Sequence, residues 1–220
     1  MTALISLVLF DMDDVLSHYD RSARVHHLSV VSGRTYETVR EAIWESGLED
    51  SADAGLISDE EYLTTMGEIL GCHVTRDDWL AARFASISPN VEVLALVRKL
   101  SARYRIAVLT NNCQLVTENI QYRNPAVAEL FGPHVYASAS FGTAKPAAHT
   151  YLRCLDALGA SAAETLFIDD LEVNVAGAIK AGLHGHVFTD ARSLTEELER
   201  RKLLQPGRNR ASKCPACRAE

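Results

Sequence analysis

Leu4-Ile5-Ser6-Leu7-Val8-Leu9-Phe10-Asp11-Met12-Asp13-Asp14 is an apolar run that stops on carboxylates. An apolar run of this length suits a strand covered on both faces, as in a parallel sheet. It is too short to span a bilayer and lacks the basic leader of a signal peptide. In open α/β sheets, ligands bind beyond the carboxyl ends of the strands. Asp11 and Asp13 therefore stand where such a site would be built.

Working outward, residues 106–109, 135–137, 165–168 and 186–188 also read as strands. Helical patterns lie between them. Ser88-Pro89 reads as a helix start, with Val91, Leu94, Val97 and Leu100 on its inner face. Another helix runs from Pro146 through Tyr151, Leu152, Leu155 and Leu158 to Gly159. A third follows Asp170 and stops at Gly182; a last one opens on the capping box Ser193-x-x-Glu196. Alternating strands and helices imply an α/β fold with a Rossmann-like parallel sheet core and right-handed crossovers.

Residues 20–87 break the alternation and read as four helices. The first ends near Gly33 and the second runs from Thr35 to Gly47. The third is capped by Ser58-x-x-Glu61 and ends at Gly71, and the fourth is capped by Thr75-x-x-Asp78. The expected organisation is a core of residues 1–16 and 88–204, a helical cap of 17–87 and a polar, mobile tail of 205–220.

A chain of 220 residues, 47% hydrophobic, buries a core without staples. Its net charge of −7 argues against a nucleic-acid surface. Cys72, Cys113 and Cys154 stand singly in apolar patterns and read as small buried hydrophobes, which suits a reducing cytoplasm. Cys214-Pro-Ala-Cys217 lacks the further ligands that a structural zinc site needs, so no role is assigned to it.

Each later strand also ends on polar groups: Thr110-Asn111-Asn112, the Gly142-to-Lys145 loop, and Asp169-Asp170. Carboxylates gathered on one rim repel one another, and a hard cation such as Mg²⁺ relieves that. These parts suit phosphoryl transfer. An aspartate can accept the phosphoryl group, while a metal and Lys145 offset its charge. Thr110 and Asn111 can donate hydrogen bonds, and Asp13 can move the proton. None of these pieces is specific alone. Thr-Asn-Asn is also a common turn, and Asp-Asp a common helix cap. Their order, each behind its own strand, carries the reading.

The set resembles the haloacid dehalogenase (HAD) superfamily. Phe-Asp11-Met-Asp13-Asp-Val-Leu is similar to its first motif, Leu-Thr110-Asn-Asn to its second, Lys145-Pro to its third, and Phe-Ile-Asp169-Asp170-Leu-Glu-Val-Asn174 to its fourth. The helical insert resembles the family's small cap. Asp53-Ala-Gly-Leu-Ile-Ser58-Asp-Glu-Glu-Tyr62 within it resembles the bacterial glucose-1-phosphate phosphatase branch. The resemblance implies Asp11 as nucleophile and metal ligand. It implies Asp13 as acid/base with its backbone carbonyl on the metal, and Asp170 as a further ligand beside Asp169. Thr110, Asn111 and Lys145 would bind phosphate, and Asn174 would brace the site.

The implied activity is a Mg²⁺-dependent phosphatase acting on a small phosphorylated metabolite, with sugar phosphates as candidates. A phosphomutase would use the same groups. A dehalogenase would not carry Asp13, because a halide leaves without a proton. A phospho-accepting signalling receiver would have neither the cap nor the Asp-x-Asp pair, and a non-catalytic relative would not need intact motifs. Asp14 stands where the family often has glycine; aspartate tolerates left-handed geometry, so the turn is expected to survive. His18, Tyr19 and Arg21 are expected to face the pocket, with Arg24 and the Asp53–Gly55 loop as weaker candidates. Trp44, on a stripe with Val39 and Ile43, is assigned to the core.

Overall fold

The computed structural model describes residues 4–205. Except for Gln205, the expected tail, with Cys214 and Cys217, lies outside the described residues. Five parallel strands form the sheet: β1 (Leu7–Phe10), β4 (Arg105–Thr110), β5 (Val135–Ala137), β6 (Thr165–Asp169) and β7 (His184–Val187), in the order β5-β4-β1-β6-β7. Phe10 pairs with Val108 on one side and Ile168 on the other. That register brings Asp11, Thr110 and Asp169 to one rim.

Successive side chains of a strand face opposite sides, and the core divides accordingly. Val8, Phe10, Val108 and Ile168 join one cluster; Leu7, Leu9, Ala107, Leu109 and Phe167 join the other. The second cluster is covered by α10 (Ala148–Leu158) and α11 (Glu172–Lys180), through Tyr151, Cys154, Leu155 and Ala178. On the first face lie α6 (Val91–Ser101) and α12 (Ala191–Arg200). Between β4 and β5 the chain makes three short helices, α7 (Gln114–Glu118), α8 (Ile120–Arg123) and α9 (Pro125–Phe131).

Several boundaries differ from the sequence reading. Ser88-Pro89 does not start a helix. Both residues belong to β3 (Ile87–Pro89), which pairs antiparallel with β2 (Ser17–Tyr19). This ribbon carries the chain into and out of the helical insert. Asn90 caps α6 instead, accepting from Val93 N at 3.3 Å. The later start turns Val91 outward, to 68% exposure. Ser193 does not cap the last helix either: Asp190 does, accepting from Ser193 N at 2.7 Å.

The insert contains five helices, not four: α1 (Arg21–Ser32), α2 (Tyr36–Trp44), α3 (Leu48–Asp53), α4 (Asp59–Leu70) and α5 (Arg76–Ala85). The extra one, α3, has six residues and begins after Gly47 with no side-chain cap, too short to show a helical period. Ser58 and Thr75 cap α4 and α5 as expected. Arg24 is fully buried inside this bundle. It pairs with both oxygens of Glu49 at 2.6 and 3.0 Å and donates to the Tyr62 hydroxyl at 3.0 Å. Trp79 donates to the same hydroxyl. Arg24 therefore ties the cap together and does not line the pocket. Of the cysteines considered, Cys113 and Cys154 are buried and Cys72 is half-buried, and none is in a disulfide. Among the described residues, no helix is long and apolar enough to cross a membrane.

Candidate active site

The turn after β1 is tight. Met12 O accepts from both Leu16 N and Ser17 N, and Val15 and Leu16 are buried beneath it. Asp14 adopts φ 63°, the left-handed geometry expected of it. Its carboxylate accepts from Tyr19 N and pairs with Arg21 at 2.8 Å, which helps an unusual residue hold that conformation.

Lys145 is the electrostatic centre of the rim. Its Nζ lies 2.9 Å from Asp11 Oδ1 and 2.7 Å from Asp169 Oδ2. Burial opposes its charge, but Asp11 and Asp169 more than compensate and raise its pKa. Asn111 holds this lysine by its backbone: Asn111 Nδ2 donates to Lys145 O, and Lys145 N donates to Asn111 Oδ1, both at 2.9 Å. The Asn111 side chain thus fixes the loop, and its second amide hydrogen remains for a ligand in the cavity that Asn111 lines. Thr110 is buried, and its Oγ1 accepts from Asn112 Nδ2 at 2.8 Å, leaving the hydroxyl proton available.

Asp169 is fully enclosed. It accepts from Asn174 Nδ2 at 3.1 Å on each oxygen and from Leu171 N at 2.9 Å. Asn174 is fixed in turn, since its backbone carbonyl accepts from the Tyr151 hydroxyl. Carboxylate oxygens of Asp11, Asp169 and Asp170 all lie within 4.8 Å of one another. Oxygen-only donors with one half-buried carboxylate are the set that Mg²⁺ accepts, so these residues fit the expected ion. Burial pushes Asp11 up to about 7, against the pull of Lys145 and with the push of Asp169 and Asp13. Asp170 is raised too, by burial and by Asp169. Crowded carboxylates of this kind gain from a bound cation.

The Asp13 side chain does not join this cluster. Arg83 Nη2 donates to its Oδ2 at 2.9 Å, and Arg123 Nη2 lies 3.0 and 3.1 Å from its two oxygens. Burial alone would raise Asp13, but Arg123 and Arg83 bring it down to about 2. Sequence reading missed both arginines. Arg83 was visible as a charge one turn after Trp79 on the inner face of α5. Arg123 lies in a four-residue helix with no period to place it.

A cavity of about 190 Å³ opens over these groups. The core side presents Asp11, Asp13, Thr110, Lys145 and Asp170; the cap side presents Trp44, Asp50, Asp53 and Arg83. Tyr19 and Arg21 also line it, as expected, whereas His18 lines a different hollow beside Pro89. Trp44 packs on the hydrophobic core and lines the cavity as well.

A family model described as haloacid dehalogenase-like hydrolase matches residues 5–182. The chain is 30% identical over 192 residues to a protein named Phosphatase MT3486 from Mycobacterium tuberculosis, covering 83% of this chain and 87% of that protein. It superposes on a HAD-like family hydrolase from Porphyromonas gingivalis with TM-score 0.75 and 25% identity, over 89% of this chain and 98% of the other. A HAD family enzyme from Bacteroides thetaiotaomicron, solved in complex with magnesium and inorganic phosphate, shares the fold at TM-score 0.70 and 24% identity, over 84% and 94% of the two chains.

Proposed function

This chain belongs to the haloacid dehalogenase-like hydrolases, and on that premise we propose that it is a Mg²⁺-dependent phosphatase of a small phosphorylated metabolite, with sugar phosphates among its substrates. The observation that carries the reading is Asp11, held 2.9 Å from Lys145 and grouped with Asp169 and Asp170 at the floor of the cavity. Asp11 attacks phosphorus, a P–O bond forms to its carboxylate, and the ester P–O bond breaks. The departing alkoxide takes a proton. Water then attacks the acyl phosphate, releasing phosphate and restoring Asp11.

Asp11 and Asp170 would hold Mg²⁺, with the Asp13 backbone carbonyl as a third donor and Asp169 adjoining. The ion supplies charge neutralisation on the phosphoryl oxygens. Lys145 holds one anionic oxygen, and the Thr110 hydroxyl donates to another. Asn111 and Asn174 position Lys145 and Asp169. Asp13 is ionised as Arg83 and Arg123 hold it, which suits it to receive the proton of the attacking water. To serve the leaving alkoxide as an acid, Asp13 must first loosen from Arg83 and Arg123 and take up a proton from solvent; it gives that proton to the alkoxide and regains one from the attacking water. Residues 17–87 act as the lid that excludes bulk water and 88–204, with 1–16, as the catalytic core.

The test is phosphate release from a panel of phosphorylated metabolites, with and without Mg²⁺, for the wild type and Asp11→Asn. The variant is expected to lose turnover. Release by Asp11→Asn at the wild-type rate would overturn the assignment, and isomerised sugar phosphate instead of free phosphate would make the enzyme a mutase.

A further inference from the structure

Asn112 stands two residues after Thr110, buried in the wall of the same cavity. Its backbone is fixed without help from its side chain. The amide N donates to Ser138 Oγ at 3.2 Å, and the carbonyl accepts from Ala139 N at 3.4 Å. Ser138 Oγ donates in turn to the carbonyl of Asp53 in the cap at 2.6 Å. The contacts of the Asn112 side chain are therefore not what holds the loop, and they reach groups of the phosphoryl centre instead.

The Asn112 amide can stand only one way round. Arg83 Nη2, from the cap helix α5, lies 2.8 Å from one end of it. A guanidinium only donates, so that end is the oxygen. Nδ2 then faces Thr110 and Asp13. It lies 2.8 Å from Thr110 Oγ1 but 3.4 Å from Asp13 Oδ2. That Asp13 oxygen is already held by Arg83 at 2.9 Å and Arg123 at 3.1 Å. The main partner of Nδ2 is thus Thr110. A hydroxyl carries a single proton. Once Oγ1 accepts from Asn112, that proton must turn away from Asn112, and Thr110 lines the cavity beside Asp11 and Lys145. A donor aimed in advance is worth more than one free to turn, because it needs no reorganisation as charge develops.

We propose that Asn112 is a positioning residue for the Thr110 hydroxyl: with its oxygen held by Arg83 of the cap, its Nδ2 aims the Thr110 proton at the phosphoryl group. The seated cap thereby sets the direction of a phosphate donor that belongs to the core. This rests on the phosphatase reading and deepens it.

A double-mutant cycle of Asn112→Ala and Thr110→Val tests this, read as kcat/KM for p-nitrophenyl phosphate with Mg²⁺. Removing such a donor outright costs about 10²–10³ in rate, so losing only its aim should cost less, about tenfold. In Thr110→Val there is no proton to aim, and adding Asn112→Ala is expected to cost less than about twofold there. A merely structural role would lower the rate by the same factor in both backgrounds. Calorimetry of inorganic phosphate binding with Mg²⁺ repeats the cycle without turnover, and decides it if Thr110→Val is too slow to assay. Asn112→Asp has the same shape and still accepts from Arg83, so it serves if Asn112→Ala does not fold. Its carboxylate draws the Thr110 proton towards itself, and its added charge acts in both backgrounds and cancels from the cycle. Equal losses with and without the Thr110 hydroxyl, or an Asn112→Ala variant at the wild-type kcat/KM, overturn the positioning role and leave the phosphatase standing. No phosphate release by the wild type, from p-nitrophenyl phosphate or from the metabolite panel, overturns the phosphatase reading itself.

Discussion

Arg83, near the end of the last cap helix, places Nη2 2.9 Å from Oδ2 of Asp13, on the loop after the first core strand. The contact joins the lid to the centre that it covers, and Arg123 shares the same carboxylate from the core side. Asp13→Asn should therefore leave two buried guanidinium groups facing each other without a counter-charge. Removing one partner of a buried pair costs about 3–5 kcal/mol, and the residual exposure of Asp13 puts the expected loss near the lower end. Denaturant unfolding at neutral pH measures it. The Asp13 carboxyl is depressed to about 2 from an ordinary 3.8. Its contribution is complete above the unfolded value and is lost as pH falls through 3.8 towards 2. The gap between wild type and variant should accordingly narrow in that acid window. An unchanged gap at both ends would mean that the pairing does not stabilise the fold.

Lys145 is the only cation in contact with both Asp11 and Asp169 among the described residues. Lys145→Met leaves those carboxylates buried and facing each other. Without metal, a loss of roughly 3 kcal/mol or more is expected. Mg²⁺ should restore part of the melting temperature while turnover stays near background. Thermal melts with Mg²⁺ and with chelator would show the rescue.

Mg²⁺ binding should be pH-dependent. Burial holds Asp11 at about 7, so the metal-free fold keeps a proton there that an unfolded aspartate loses near 3.8. That preference stabilises the fold below 3.8 and is lost as pH rises through about 7. An ion needs the carboxylate form, so affinity should fall about tenfold for each pH unit below 7. Calorimetry in two buffers of different ionisation enthalpy would detect the released proton, and its absence would contradict the shift.

Gly55 and Gly33 have nearly the same backbone, φ +65° and +66°, but different surroundings. Nothing lies within 4 Å of a Cβ at Gly33, whereas one at Gly55 would strike Ala139 O. Gly33→Ala should cost about 1–2 kcal/mol from left-handed strain alone. Gly55→Ala adds a backbone collision between cap and core, so it should cost more and also lower kcat/KM. Equal effects at both positions would mean that the cap yields without consequence.

The sequence by itself determined the sheet and the order of the groups on its rim. Apolar runs at β1, β4 and β6, alternating with helical patterns, point to a parallel sheet, and its register carries Asp11, Thr110 and Asp169 to one edge. Caps with a side-chain donor or acceptor, Ser58 and Thr75, were legible because the residue types are specific. Short elements were not: α3 and the β2–β3 ribbon span too few residues to display a period, and the ribbon misplaced the start of α6. Only the tertiary structure decided which neighbours each site residue meets. Asp11 and Asp13 are two positions apart, yet one faces Lys145 and the other two arginines from distant elements. Asn111, read as a phosphate donor, also holds the Lys145 backbone through both ends of its amide, a contact no local pattern announces. Side-chain identity fixes what a group can do, but charge state and partner depend on which distant segments pack against it, and local sequence does not encode that.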